Sequence, residues 1–215
     1  MTGNFDLKRI SYLIDKSIKS MGLDLTDLTV LTEAASGNFI STCLIAAKAN
    51  ARKVYAITKD SRYGSANEVI SFCKDNALKL GLKNIEFSNK SACNFSSEAD
   101  IVTNLGFVRP IDKNLIANLP RHAVIALMWE PWELRSSDID IDFCRYKEIP
   151  VIGTRETDKR LNTFKYVGLL AAKLILEKDI EIYQSNISII GSNPFGSSIK
   201  ECLKNMGASV SHFMF

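Results

Sequence analysis

Seven charged residues fall just beyond short apolar runs of the chain: Glu33, Arg62, Arg109, Glu130, Glu133, Arg135 and Glu156, with Trp129 and Trp132 among them. Arginines set among carboxylates can clamp an anionic group. The two indoles can stack on a planar ligand or simply pack. After the first run, Thr32-Glu-Ala-Ala-Ser-Gly-Asn-Phe39 is a small-residue loop at the start of a helical segment. The free amides there, around Ser36, Gly37 and Asn38, can hold a phosphate or carboxylate. Asp60 follows Gly37 by 23 residues, roughly the separation at which an acidic side chain meets a ribose hydroxyl in dinucleotide folds. Two sets of site residues follow. Glu33, Ser36, Gly37, Asn38, Asp60, Arg62 and Asn104 are the cofactor-binding candidates; Arg109, Glu130, Trp132, Glu133, Arg135 and Glu156 are the substrate-binding candidates. Each has a plainer reading: Asp60 can be a helix cap, and Glu133 with Arg135 a surface pair.

These residues belong together only if the fold lines them up. Apolar runs at Leu28–Leu31, Lys53–Thr58, Asn84–Phe87, Asp100–Thr103, Ala123–Met128, Pro150–Ile152 and Ile187–Ile190 alternate with helical patterns at Phe39–Ala49, Ala66–Leu80, Ile111–Leu119, Ile139–Lys147 and Phe164–Glu177. That alternation predicts an α/β, Rossmann-like fold: a doubly wound parallel sheet of about six strands with helices on both faces. Its ligands sit beyond the carboxyl ends of the strands. An amphipathic helix is expected over Phe5–Met21, with Gly22 as its stop. The organisation expected is an N-terminal helix in 1–27, the α/β domain in 28–160, a connecting helix and linker in 161–185, and a partial dinucleotide-binding βαβ unit in 186–215. Glu177–Ser185 is the most linker-like stretch.

The composition, 46% hydrophobic and 24% charged over 215 residues, is that of a globular chain. A net charge of +3 without a basic run argues against nucleic acid. No uncharged apolar run approaches the ~20 residues of a membrane helix, and no leader opens the chain, so a cytoplasmic setting is expected. Cys43, Cys73, Cys93, Cys144 and Cys202 are scattered and only His122 and His212 accompany them; neither a metal site nor a disulfide framework is expected. Cys43 and Cys73 fall on apolar helix faces and read as small core residues. Nothing in the sequence places a carboxylate or nucleophile beside His122. With no G-x-S-x-G and no Cys–His arrangement, no catalytic residue is assigned.

Two family resemblances rest on these segments. Leu28 to Met128 resembles the cofactor half of S-adenosylmethionine-dependent methyltransferases, through Ala34-Ala-Ser-Gly-Asn-Phe39, Asp60, Asn76-Ala-Leu-Lys-Leu-Gly81 and Ala99-Asp-Ile-Val-Thr-Asn104; its glycine-rich motif is reduced to Gly37. Ala99 to the end resembles the D-2-hydroxyacid dehydrogenase superfamily. Ile111–Ile125 and Ser137–Gly153 are similar to helix–strand units of its substrate domain, Phe164–Glu177 to its connecting helix, and Ile187–Gly196 to the opening of its NAD domain. The loop Gly191-Ser-Asn-Pro-Phe-Gly196 lacks the central glycine, and that family's catalytic residues have no counterpart before Phe215. The second resemblance implies an NAD(P)-associated, dehydrogenase-type protein that binds a small anionic or nucleotide-type ligand. The alternatives are a methyltransferase-like protein using S-adenosylmethionine, and a non-catalytic protein that serves ligand binding or assembly. The apolar ending Val210-Ser-His-Phe-Met-Phe215 carries no gatekeeping charge, so it is expected to be covered, by a second copy in a homodimer or, in a longer parent protein, by the remainder of the domain.

Overall fold

Asp6 begins the first helix by accepting the Arg9 amide at 3.0 Å, and Gly22 ends it at φ 64°, donating back to the Ile18 carbonyl. This helix, α1 (Leu7–Met21), ends where its apolar spacing predicts and begins two residues after Phe5, because Asp6 caps it. The computed structural model describes residues 5–128, 135–156, 158, 160–161 and 163–214. They divide into two compact units, 1–155 and 156–215.

The first unit continues as β1 (Thr29–Glu33), α2 (Ser41–Lys48), β2 (Lys53–Ile57), α3 (Ala66–Lys79), β3 (Ile85–Ser88), β4 (Ile101–Thr103), α4 (Lys113–Asn118), β5 (Val124–Ala126), α5 (Ile141–Tyr146) and β6 (Val151–Ile152). All six strands are parallel, in the order β3-β2-β1-β4-β5-β6. The predicted sheet is therefore present, and the strand order reverses direction between β1 and β4. Every residue of β1 is buried, as a central parallel strand requires.

Strand alternation divides the core. Val30, Val54 and Ala56 pack with Ile14, Leu44, Val69 and Cys73 of α1, α2 and α3. Leu31, Tyr55, Ile57, Val102 and Ile125 pack on the opposite face with Leu115 and Ile116 of α4 and Cys144 of α5. Fully burying a side chain such as Leu31 contributes about 2 kcal/mol. Two short 3-10 segments were not visible in the apolar spacing: Gly37–Ile40 leads into α2, and Ala92–Glu98 carries the chain from β3 to β4.

The second unit comprises α6 (Thr163–Leu176), β7 (Asn186–Ile190), α7 (Phe195–Asn205) and β8 (Ser209–Phe213). β7 and β8 pair in parallel over five residues, which is the expected βαβ start. Helix α6 packs with α7 around Ala172, Leu203 and Ala208, so the connecting helix groups with the terminal strands rather than with the sheet before it. A Cβ at Gly168 would lie 2.6 Å from the Cys202 Cβ, so the close approach of α6 and α7 needs glycine there.

Candidate functional site at the carboxyl edge

The reversal of strand order between β1 and β4 opens the crevice where α/β sheets hold ligands. Glu33 ends β1 and is 9% exposed; its Oε2 accepts the Phe107 amide at 3.3 Å. Burial, the dominant influence, pushes its carboxyl above the ordinary carboxylate range, although the Phe107 amide, the Arg109 charge and the Gly106 amide pull the other way. Arg109 pairs with Asp138 at 2.9 Å, and Asp138 precedes α5. Asn104, just past β4, is wholly buried, and its Oδ1 accepts the Met128 amide at 2.7 Å. Glu33, Asn104 and Arg109 are thus brought together where β1 and β4 end. Behind them the Thr32 and Thr103 hydroxyls share a hydrogen bond of 2.8 Å inside the sheet.

The other candidates are placed elsewhere. Ser36 and Gly37 lie in the turn before α2, with Asn38 exposed beside them; Gly37 has φ +59°, and an added Cβ there would meet nothing within 4 Å. Asp60 anchors α3: its Oδ1 accepts the Ala66 amide at 2.7 Å, beside the reciprocal capping pair of Ser65 and Glu68. This is the capping role among the alternatives of the sequence. Arg62 stands over the Tyr63 ring at 4.8 Å and donates to its hydroxyl at 2.6 Å. Arg135 lines a separate depression of about 380 Å³ with Asp140 and Asp142 at the start of α5. The three arginines therefore have different settings. Glu156 belongs to the second unit. Glu130, Trp132 and Glu133 lie outside the described residues.

Sequence reasoning missed the cluster at the opposite edge. His122 Nε2 lies 2.6 Å from Asp100 Oδ1, while Asp100 Oδ2 accepts the Thr29 amide at 2.6 Å and sits 3.8 Å from Arg52. A carboxylate does stand beside His122, 22 residues away in the chain, a separation that leaves no local signal. Burial opposes the Asp100 charge, yet the Thr29 amide, His122 and Arg52 outweigh it and hold its carboxyl below the ordinary range. The two residues border a groove of about 500 Å³ on the face of β4–β6 opposite α4 and α5, floored by Ile101, Val124, Ala126 and Ile152. It exceeds the depression beside Arg135 in size, but its floor is apolar. Three buried thiols are held in the protonated, unreactive form: burial pushes Cys43 far up, Cys73 to about 12 and Cys144 to about 11. Among the described residues no group of His, Cys, Asp and Glu is arranged to hold a metal ion. No described helix is long and apolar enough to cross a membrane.

In the second unit, a Cβ at Gly196 would overlap the His212 ring, whose Nε2 lies 2.8 Å from the Gly191 carbonyl. Gly196 therefore serves close packing of α7 on β8, the task of the last glycine in a dinucleotide fingerprint. Asn193 stands where the central glycine would allow a pyrophosphate to approach.

No protein-family model and no curated protein matches the sequence. Solved structures do. Dipicolinate synthase from Bacillus subtilis is similar at 13% identity and a TM-score of 0.54, over 90% of this chain and 62% of that one. Dipicolinate synthase from Bacillus halodurans is similar at 11% identity and a TM-score of 0.56, over 88% of this chain and 62% of that one. The likeness is one of fold. The chain spans 62% of the length of either protein.

Proposed function

We propose that this chain is the ligand-binding part of an NAD(P)-dependent oxidoreductase of the dehydrogenase type, with a small anionic ligand at the carboxyl ends of β1 and β4. The observation that carries the reading is the meeting of Glu33, Asn104 and Arg109 at the switch point of a doubly wound sheet. The resemblance to the D-2-hydroxyacid dehydrogenase superfamily and the fold shared with dipicolinate synthase support it. Arg109 is engaged with Asp138. The anion would therefore be received chiefly by a neutral donor, the Asn104 amide.

The turn is open enough for the cofactor: nothing lies within 4 Å of an added Cβ at Gly37. Ser36, Gly37 and Asn38 would hold a phosphate, while Asp60, whose Oδ1 is engaged with Ala66, would meet a ribose through Oδ2. Bound NAD(P) would supply hydride transfer. Association is part of the proposal, with a second copy covering the outer face of β7–β8, where Ile190 and Phe213 are 76% and 57% exposed. Calorimetric titration with NAD, NADP, S-adenosylmethionine and adenosine tests the cofactor. Saturable binding of NAD or NADP is expected, and binding of S-adenosylmethionine alone would replace this reading with a methyltransferase-like one. Light scattering tests association, with a dimer expected and a strict monomer removing that part.

A further inference from the structure

Asn104 is 0% exposed, and its orientation is settled by the Met128 amide, which the Oδ1 accepts. The other half of the side chain, Nδ2, has no hydrogen-bond partner among the described residues. Leaving a buried donor unsatisfied is costly, and folded proteins rarely keep one without a reason. Position supplies the reason. The pairing Leu31↔Val102, continued two residues, sets Glu33 beside Asn104 where β1 and β4 end. Alternation from Leu31 and Val102 places both on the same face of the sheet. Thr58 Oγ1, also buried and without a partner among the described residues, follows Ala56 onto the opposite face and does not belong to this receptor.

We infer that Asn104 Nδ2 is the donor that receives the ligand, so the crevice takes a small molecule with a carbonyl-type acceptor oxygen, a carboxylate or an amide carbonyl. An amide NH2 can only donate, so a cationic or donor-only group gains nothing there. The inference rests on the ligand site proposed above and names what that site recognises.

The test is NMR titration of the intact chain, following the Asn104 side-chain NH2 pair and the backbone amides of Ser36–Asn38. Acetate, acetamide and ethylammonium serve as size-matched probes. A saturable shift of the NH2 pair with acetate or acetamide, and none with ethylammonium, is expected; the tighter of the first two identifies the source of the oxygen. Asn104→Asp keeps an acceptor for Met128 but replaces the donor, and should weaken the better probe roughly tenfold. If that variant does not fold, the wild-type titration decides alone. An NH2 pair unmoved by either oxygen probe while the Ser36–Asn38 amides shift overturns this inference and leaves the ligand site standing. No shift anywhere overturns both.

Discussion

Two carboxylates stand at opposite edges of one sheet and meet opposite treatment. Asp100, at the amino edge, is surrounded by partners: the Thr29 amide, the His122 ring and Arg52 all favour its charge. Glu33, at the carboxyl edge, is placed where burial outweighs the charge and amides around it, and its neighbour Asn104 keeps a donor without a partner among the described residues. The first cluster is satisfied from within the chain and ties β4 to β1. The second is incomplete in hydrogen-bonding terms, which is the condition of a group arranged for something that arrives from outside.

The largest effect should come from the satisfied edge. Asp100→Ala removes the acceptor of a backbone amide and of His122, and should destabilise the chain by about 2–3 kcal/mol in chemical denaturation. A loss below about 0.5 kcal/mol would mean the cluster is decorative. The sign with pH follows from the lowered folded-state value. The unfolded chain takes up a proton at Asp100 more readily, so its contribution is full above the ordinary value of 3.8 and drains away as the pH falls below it. Gly37→Val comes next. With φ +59° the valine is strained whatever space surrounds it, costing about 1–2 kcal/mol. It should also block adenosine-type ligands at the turn, and unchanged affinity for NAD and NADP would remove Gly37 from the site. The smallest change is Glu33→Gln. Because burial raises the folded-state value above 4.5, the folded chain holds the proton more tightly, and wild-type stability falls as the pH rises through and beyond that value. The variant should therefore gain on wild type well above that value and not below it. Equal curves on both sides would show that the two edges do not differ as described.

The sheet, the first helix and the terminal βαβ start were legible because each depends on apolar periodicity, which a buried parallel strand or a helix face displays directly. Ala92–Glu98 was not, because Ala-Cys-Asn-Phe-Ser-Ser-Glu has neither a strand nor a helix period. At the site, rim position marked Glu33, Asn104 and Arg109 correctly as strand-end residues. It could not show that Arg109 would find Asp138, that Arg62 would lie on its neighbour Tyr63, or that Asp60 would anchor α3. Charge type tells which groups can bind an anion; only side-chain geometry tells which are already engaged. Thr32, Thr58 and Thr103 escaped notice because threonine at a strand end is also an ordinary strand former.

The strands of the sheet are also paired over unequal lengths. β1 and β2 are paired over five residues, whereas β5 and β6 are paired over two. Local opening therefore begins at β6 and moves inward, while the β1–β2 centre opens only with the whole unit. Amide protons of Leu31 and Tyr55 should be among the slowest to exchange with deuterated solvent, and that of Leu127, held by the Ile152 carbonyl at 2.8 Å, among the first of the sheet's to be lost. β1, which carries Glu33, is held along its β2 side while the β6 flank breathes, so a ligand can be admitted from that flank without disturbing the strand that positions Glu33.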